Sequence, residues 1–320
     1  MPFDLDRRGA LKLAGIGALA ATPLGRLAAQ GAAPGIPIEL NLWGGKGAFK
    51  MHPRAAIVTY PIRFILAAEA NAGGRVGIYL TLKGPTEVDM RALAAEARND
   101  LASRLAAIGL PTVPPGELLA NPDFAALPKV PGNARWDEGV LDPMGKRLWF
   151  MASSVDAPLH PGWGSTTGSS EMSSIGKFNP TSRALNAVSI APYLTLEFST
   201  LSGSVKSGSK GSTAWAGGEI LFGFKPHSHT YYSAGGKRSI ESVGGGLHPK
   251  GRVLISPVQL PGNLRSGVGA PGAELAKRMG NARIDEFAVD MNAWREWVRQ
   301  AYRGYNAELA RLIATALPKG

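Results

Sequence analysis

The sequence contains no cysteine in its 320 residues. This absence excludes disulfide bonds, zinc–thiolate sites, iron–sulfur clusters and cysteine nucleophiles. The stability of the fold must therefore come from an apolar core. With 44% hydrophobic and 18% charged residues, the composition is that of a globular chain long enough to bury a sizeable core.

A long apolar run is also missing from the start of the chain, where a short one follows two basic residues. The stretch from Leu13 to Leu24 has about 12 residues, too few to cross the ~30 Å hydrocarbon core of a membrane. Arg7 and Arg8 precede it and small residues follow it. This order is typical of an export signal. An ordinary amphipathic helix is the alternative interpretation.

The stretch Asp6-Arg7-Arg8-Gly9-Ala10-Leu11-Lys12 resembles the twin-arginine export signal, whose usual form is S/T-R-R-x-F-L-K. Asp6 and Ala10 stand where that form has a hydroxyl residue and a phenylalanine. The resemblance implies that Arg7 and Arg8 are recognised during export, that the protein reaches the periplasm, and that it is carried there already folded.

The domain organisation follows from this interpretation. We expect residues 1–30 to be the signal peptide, with cleavage between Ala29 and Ala33. Residues 34–320 are expected to form a single α+β domain, in which 34–127 and 128–320 are candidate subunits.

Acidic residues are fewer than basic ones, 24 against 35, which gives a formal net charge of +11. Residues 1–30 contain four basic and two acidic residues, so 31 basic and 22 acidic residues remain, a charge of +9. This excess favours an anionic ligand or an envelope protein as partner, and export argues against nucleic acid. Because the basic residues are scattered, a generally basic, solvated surface is the alternative. Contact with the membrane after signal removal, through the alternating strands predicted from Tyr193 to Tyr232, stays open.

The first half of the chain predicts a hairpin followed by a long helix. Residues 54–68 and 75–84 are apolar runs joined across Ala72-Gly73-Gly74, which favours a β-hairpin broken near Pro61. The helix is predicted from apolar residues at helical spacing between Met90 and Ile108. Thr86 and Asp89 form a candidate capping pair at its start, and Gly109 is the candidate glycine at its end.

Residues 54–120 resemble a unit found in the curli-secretion channel family and in the amino-terminal domain of the Tol-system translocation protein. The resemblance lies in a helix ending Leu105-Ala106-Ala107-Ile108-Gly109, a short strand over Leu110–Val113, and a second helix from Pro115-Gly116-Glu117-Leu118-Leu119. It implies an α/β unit used for assembly or protein contacts in the envelope. The curli channel proteins are lipoproteins, whereas this chain has no cysteine to lipidate.

The second half predicts loops, then strands, then a helix. Residues 128–192 are rich in Gly, Pro and Ser and are expected to form long loops. Further strands are predicted in 193–201, where apolar and polar residues alternate, and in 219–224, 225–236 and 252–260; short connections make them antiparallel. A long helix is predicted over 283–317. The predicted fold class is α+β, a mixed or antiparallel sheet packed by a long central helix and a long C-terminal helix.

Linear catalytic motifs are weak or missing. Gly267–Gly272 matches G-x-G-x-x-G without a preceding strand, and Gly203–Lys210 fails the spacing of a phosphate loop. Ser174 and Lys177 share the spacing of the S-x-x-K element of penicillin-binding enzymes, and Lys206-Ser207-Gly208 is similar to their K-T-G element, but no helix is predicted around Ser174. The nucleophile elbow G-x-S-x-G is absent. No catalytic residue and no cofactor are therefore predicted.

The histidines are the remaining candidates for a functional site, because they could bind a metal ion. His227 and His229 lie two apart, so on a strand they share a face and could share a metal ion, with His248 and His160 as the residues that could complete the site. Histidines without a metal are the favoured interpretation.

Two functions thus stand against each other. The first is an exported periplasmic protein that binds a partner or ligand at the envelope without catalysis. The second is a periplasmic hydrolase or metal-dependent enzyme with its site in the loops of 128–192 and near His227 and His229. Its candidate acids and bases in those loops are Asp137, Glu138, Asp142, Asp156 and His160.

Overall fold

Strands and helices are distributed along the whole described chain. The computed structural model describes residues 36–72, 76–127, 134–137, 147–154, 178–208, 211–224, 228–235, 243–249, 260–266 and 281–318. The strands in these ranges are β1 (Leu40–Gly44), β2 (Arg54–Ile57), β3 (Ile62–Ala72), β4 (Val76–Lys83), β5 (Ala134–Asp137), β6 (Arg147–Ala152), β7 (Ala187–Glu197), β8 (Thr200–Gly208), β9 (Gly211–Glu219), β10 (Gly223–Phe224), β11 (His229–Ala234), β12 (Val243–Pro249), β13 (Gly262–Ser266) and β14 (Asn281–Val289). The helices are α1 (Ala48–Met51), α2 (Glu87–Ala107), α3 (Pro115–Ala120), α4 (Pro122–Ala125), α5 (Asn179–Ala184) and α6 (Met291–Ala314).

Twelve of the described strands form one mixed sheet. Its main path runs β1-β12-β11-β7-β3-β4-β14-β13, with β2 and β10 on β7, and with β6 on β3 carrying β5 in turn. The pairs β2–β7, β3–β7 and β4–β14 are parallel, and the others are antiparallel. Because α2 and α6 pack on this sheet, the predicted α+β class is confirmed. Among the described helices, none has both the length and the apolar character needed to cross a membrane.

The predicted hairpin and its break are confirmed. Strands β3 and β4 pair antiparallel across residues 73–75. Strand β2 ends at Ile57 and β3 begins at Ile62, so Pro61 lies between two strands that both run parallel to β7. A proline has no backbone N–H for the ladder, and its carbonyl instead accepts from Leu194 N at 3.1 Å.

The predicted long helix is confirmed as α2, together with both of its ends. Thr86 Oγ1 accepts from Asp89 N at 3.2 Å, and Asp89 Oδ2 accepts from Thr86 N at 3.1 Å, which is a capping box. At the other end Gly109 has φ +82°, and Leu110 N donates to Leu105 O at 3.0 Å. These are features of a Schellman motif, which requires a residue that tolerates positive φ.

The short strand predicted over Leu110–Val113 is wrong, and the helix predicted after it is correct. Thr112 forms only an isolated parallel bridge with Ala55. Pro111 and Pro114 flank this bridge and lack the N–H groups that a longer ladder needs, so the pairing stops there. The following residues form α3.

The prediction of long loops over 128–192 is wrong for the described part of that range. Strands β5 and β6, helix α5 and the first half of β7 lie there. The sequence of β6, RLWFMA, shows no apolar–polar alternation because this strand is covered on both sides, with Trp149, Phe150 and Met151 all buried. Residues 155–177 lie outside the described ranges.

The C-terminal helix begins at Met291 rather than Arg283. Residues 281–289 form β14, which pairs parallel with β4 and antiparallel with β13. The helix starts after Asp290, whose Oδ1 accepts a hydrogen bond from Ala293 N at 2.9 Å and so caps the first turn. The apolar residues before Asp290 have helical spacing but lie on the strand. Phe287, expected on the helix, is therefore a strand residue that is buried in the core.

Strand β7 includes most of the strand predicted over 193–201, but the expected division into a buried and a polar face is wrong. All eleven residues of β7 are buried. Helix α6 covers one face, and α5 covers part of the other, where Ser182 Oγ lies 2.7 Å from Ser189 Oγ. The Gly/Ser-rich stretch after β7 forms β8 and β9, which pair with each other in a separate two-stranded sheet.

Of the strand predicted over 252–260, only Leu260 lies within the described residues.

Helices α2 and α6 form one layer through polar contacts as well as apolar ones. Asn306 is fully buried between them. Its Oδ1 accepts from Tyr60 OH at 2.7 Å, and its Nδ2 donates to Ala97 O and Asp100 Oδ2, both at 2.9 Å. Because a buried amide is costly unless its groups are bonded, this arrangement favours a single alignment of the two helices over the sheet.

Ion pairs reinforce the same helix contact. Arg299 donates to both carboxylate oxygens of Glu96 at 2.9 and 3.1 Å, and Tyr302 OH donates to the same side chain at 3.2 Å. The hydrogen bonds from Arg299 hold the pKa of Glu96 below its ordinary value, against the opposing effect of partial burial.

We expect Arg299→Gln to lower stability in a way that depends on pH. The pKa of Glu96 is lower in the folded than in the unfolded chain, so the unfolded chain binds the proton more readily. The stabilisation is therefore complete above the ordinary pKa of 4.5 and is lost as pH falls through the folded-state pKa. Urea midpoints measured from pH ~7 to pH ~3 should show a difference between wild type and variant that shrinks on acidification.

Arg265→Gln is the matched control, since this exposed residue lies on β13 and its loss changes the charge equally. If both variants differed from wild type by the same amount at every pH, the pair with Glu96 would not be the cause.

Candidate functional site

An open groove lies where the end of α1 meets the C-terminal ends of α2 and α6. Its volume is about 530 Å³, within the range of small-molecule sites. Most of its lining is apolar, and two basic side chains contribute to it. The lining residues are Phe49, Lys50, Met51, His52, Pro53, Ile108, Gly109, Leu110, Leu317 and Pro318.

One wall of the groove is fixed by α1, a single turn anchored through an aromatic contact. The Phe49 ring is buried, and its centre lies 4.6 Å from that of Tyr232 on β11. With Phe49 turned inwards, Lys50 is exposed. His52 ends the helix with extended φ −137° and ψ 142°, because the residue before a proline, here Pro53, is driven out of the helical region.

The other wall consists of two helix ends. The turn at Gly109 places Leu110 in the core at 1% exposure, while Ile108 stays half-buried beside the groove. Leu317 follows the last turn of α6, where its N–H donates to Ile313 O at 3.2 Å. Both helix ends therefore contribute aliphatic side chains to the lining.

His52 connects the groove to two neighbouring loops. Its Nε2 lies 3.2 Å from Gly235 O, and its Nδ1 lies 2.9 Å from Asn186 Oδ1. A carbonyl oxygen only accepts, so Nε2 donates to Gly235, while Nδ1 contacts the side-chain amide of Asn186. Asn186 has φ +46°, a left-handed conformation that asparagine tolerates better than most residues.

The charge of the groove favours anions. Among the described residues that line it, none is acidic. Helix C-termini oppose an anion with about half a negative charge each, but backbone N–H groups of Gly109, Leu110 and Leu317 already bind their last carbonyls. Lys50 carries a full positive charge, about equal to the partial charges of the two helix ends together, and the capping N–H groups weaken those partial charges further. The groove can therefore bind an anionic group beside an apolar body.

A second polar feature is an enclosed arginine cluster formed by Arg63, Trp149, Tyr193 and Thr195. The Arg63 side chain is 1% exposed, and its Cζ lies 4.6 Å from the ring centre of Trp149 and 5.1 Å from that of Tyr193. These rings come from β6 and β7, which both pair with β3, and their π faces attract the guanidinium. Thr195 pairs with Arg63 in the strand register and is fully buried.

The arginine cluster belongs to the core rather than to an open site. Glu69 and Glu197 are also buried, at 3% and 4% exposure, on the same strands β3 and β7. Glu197 lies two residues after Thr195, the strand partner of Arg63, and a buried charge is stable only when it is compensated, so this arrangement is typical of a structural network. A ligand would have to open the core to reach Arg63, which makes the groove the better candidate.

The structure brings two of the predicted histidines together through strand pairing. His229 begins β11 and pairs with Tyr193, the ring that contacts Arg63. His248 follows Leu247 on β12, and Leu247 pairs with Thr230, which follows His229. The backbones of His229 and His248 thus occupy neighbouring positions on adjacent strands. In the described part of the chain, no group of three or more His, Asp or Glu side chains is arranged to hold a metal ion.

Most other predicted site residues lie outside the described ranges. These are the signal residues Arg7 and Arg8, the third histidine His227, and Glu138, Asp142, Asp156 and His160 of the enzyme hypothesis. The same applies to the motifs at 174–177 and 267–272. Asp137 lies on β5 opposite Arg147 of β6 in the strand register. These candidates stay predictions.

Lys50 and His52 were missed by reasoning from motifs. Neither belongs to a recognised spacing, and the groove unites residues up to about 270 positions apart in the sequence. One local signal was present in Phe49-Lys50-Met51-His52-Pro53, where a short apolar–basic stretch stops at a proline. It predicts an exposed turn with two basic groups, although it says nothing of the helix ends that complete the groove.

Comparisons with known proteins identify no relative of this chain. A scan against protein-family models, a search of curated proteins and a search of solved structures each found no match.

We expect Thr195→Val to be neutral or stabilising by up to ~1 kcal/mol, whereas Thr230→Val should cost about 1 kcal/mol. Both threonines are fully buried. The Thr195 hydroxyl has no hydrogen-bond partner in the described structure, whereas that of Thr230 lies 2.8 Å from Tyr305 OH. Valine has nearly the same shape, so it mainly removes the hydroxyl, and urea unfolding of both variants gives the comparison. An equal loss of stability in the two variants would contradict the assigned difference.

Proposed function

We propose that this chain is an exported periplasmic protein that binds an anionic ligand at the cell envelope, without catalysing a reaction on it. The single observation that carries the binding proposal is the open groove, in which Lys50 and His52 lie beside an apolar lining. Concave sites with mostly apolar walls and a few polar groups are the usual form of small-molecule sites.

Binding fits the groove better than catalysis for a chemical reason. General acid–base or nucleophilic catalysis needs a positioned group that can exchange a proton with the substrate. His52 is the best such group in the lining, and both of its ring nitrogens already have partners on the protein. Lys50 is exposed and suits the attraction of a negative charge.

Export is supported by the sequence at the start of the chain. Arg7 and Arg8 precede a short apolar stretch in the order of a twin-arginine signal. The excess of basic residues suits an anionic ligand. An envelope protein as a further partner stays part of the proposal.

We expect the fluorescent probe 1-anilinonaphthalene-8-sulfonate, an anion with an apolar body, to bind the folded mature protein in the groove. Lys50→Gln should weaken this binding about fivefold, because about 1 kcal/mol of attraction is lost. Met51→Glu should weaken it further, since it puts a negative charge among the apolar lining residues. Fluorescence titration gives the affinities, and near-ultraviolet circular dichroism checks that each variant is folded.

Lys46→Gln is the matched control for the charge. Lys46 is exposed and lies four residues from Lys50, but it does not line the groove. An equal effect of the two lysine variants, or wild-type affinity in Met51→Glu, would rule out the groove as the binding site.

Replacing both Arg7 and Arg8 by lysine in the full-length chain should stop export. Twin-arginine recognition depends on the guanidinium pair, whereas the charge is unchanged by lysine. Expression in a bacterium that has this pathway, followed by fractionation, should then show the precursor in the cytoplasm and none in the periplasm. Arg26→Lys makes the same exchange outside the pair and should be exported normally. Periplasmic recovery of the double variant at the wild-type level would exclude the twin-arginine route.

A further inference from the structure

We propose that the ligand of the groove is a single-chain aliphatic carboxylate, with its carboxylate at Lys50 and its chain along the apolar lining. This inference rests on the proposed function and names the chemical class of its ligand. It is carried by the composition of the lining, in which an exposed lysine and a histidine accompany mostly apolar residues.

The head of the ligand is assigned from the charges of the rim. The ammonium of Lys50 has three donors and a full charge, so it can bind a carboxylate directly. His52 already uses both ring nitrogens for Asn186 and Gly235, so it offers no free N–H to the ligand. One direct donor group suits a compact head with a single negative charge.

The body of the ligand is assigned from the apolar side chains. Phe49 and Leu110 line the groove and are fixed in the core, at 1% exposure each. Met51, Ile108 and Leu317 are half-buried lining residues. Aliphatic and thioether side chains adapt to the shape of a flexible chain, and each methylene removed from water contributes about 0.8 kcal/mol.

The size of the groove favours one chain over two. Its volume of about 530 Å³ lies in the middle of the range for small-molecule sites. A membrane phospholipid carries two long chains and a larger head, so only part of it could enter. The proposal is therefore a free amphiphile and not the surface of a bilayer.

The experiment measures displacement of the fluorescent probe by butanoate, octanoate and dodecanoate, each kept below its micelle concentration. Affinity should rise by about two- to fourfold per methylene and then level off when the chain fills the groove. Dodecanol and dodecyltrimethylammonium have the same chain with a neutral or positive head, and both should bind more weakly than dodecanoate. Lys50→Gln should reduce the affinity for dodecanoate about fivefold and leave that for dodecanol unchanged.

The outcomes separate this inference from the proposed function. If affinity did not depend on chain length while probe binding still required Lys50, the ligand class would be wrong and anion binding would stand. Binding to phosphatidylglycerol vesicles without binding of dodecanoate would replace the free amphiphile by a membrane surface. If neither the probe nor dodecanoate bound, both proposals would fail. Lys46→Gln, with wild-type affinity for dodecanoate, is the control for charge.

Discussion

The fold depends on covering both faces of the central strands. Every residue of β7 is buried, and β3 carries Phe64 towards α6 on one face and Arg63 towards the other. A sheet covered on both sides excludes water from its polar groups, so each of them needs a partner from the protein or carries a cost. The arginine cluster, with the buried Glu197 two residues from Thr195, is a consequence of this constraint.

The helix layer that covers one face also produces the groove. Asn306 and the pair Arg299–Glu96 align α6 with α2. Aligned in this way, the two helices bring their C-terminal ends to the same region, beside the turn of α1. The groove is thus formed where helices end at one side of the sheet, and its apolar lining continues the core to the surface. Its two basic residues come from α1 and the residue after it, which lie outside the helix layer.

The elements that were predicted correctly from the sequence are those specified by signals within a few residues. The β3–β4 hairpin and α2 were predictable because a glycine pair, the Thr86–Asp89 capping box and the glycine at 109 act over a few residues. The predictions were wrong where contacts between residues distant in sequence determine the secondary structure. Strand β6 lacks alternation because it is buried on both sides. Residues 283–289 have helical spacing but belong to β14, and the side-chain cap at Asp290 sets the start of the helix. Parallel pairing of β4 with β14 joins strands separated by about 200 residues.

The sequence alone determined the absence of cysteine chemistry, the excess of positive charge, the helical and hairpin signals and the motif that predicts export. All of these are properties of composition or of short segments, and they need no knowledge of packing. Only the tertiary structure decided that Lys50 and His52 share a groove with Ile108 and Leu317. The physical reason is that a binding site is a surface assembled from several chain segments, and apolar packing, not sequence proximity, chooses which segments meet.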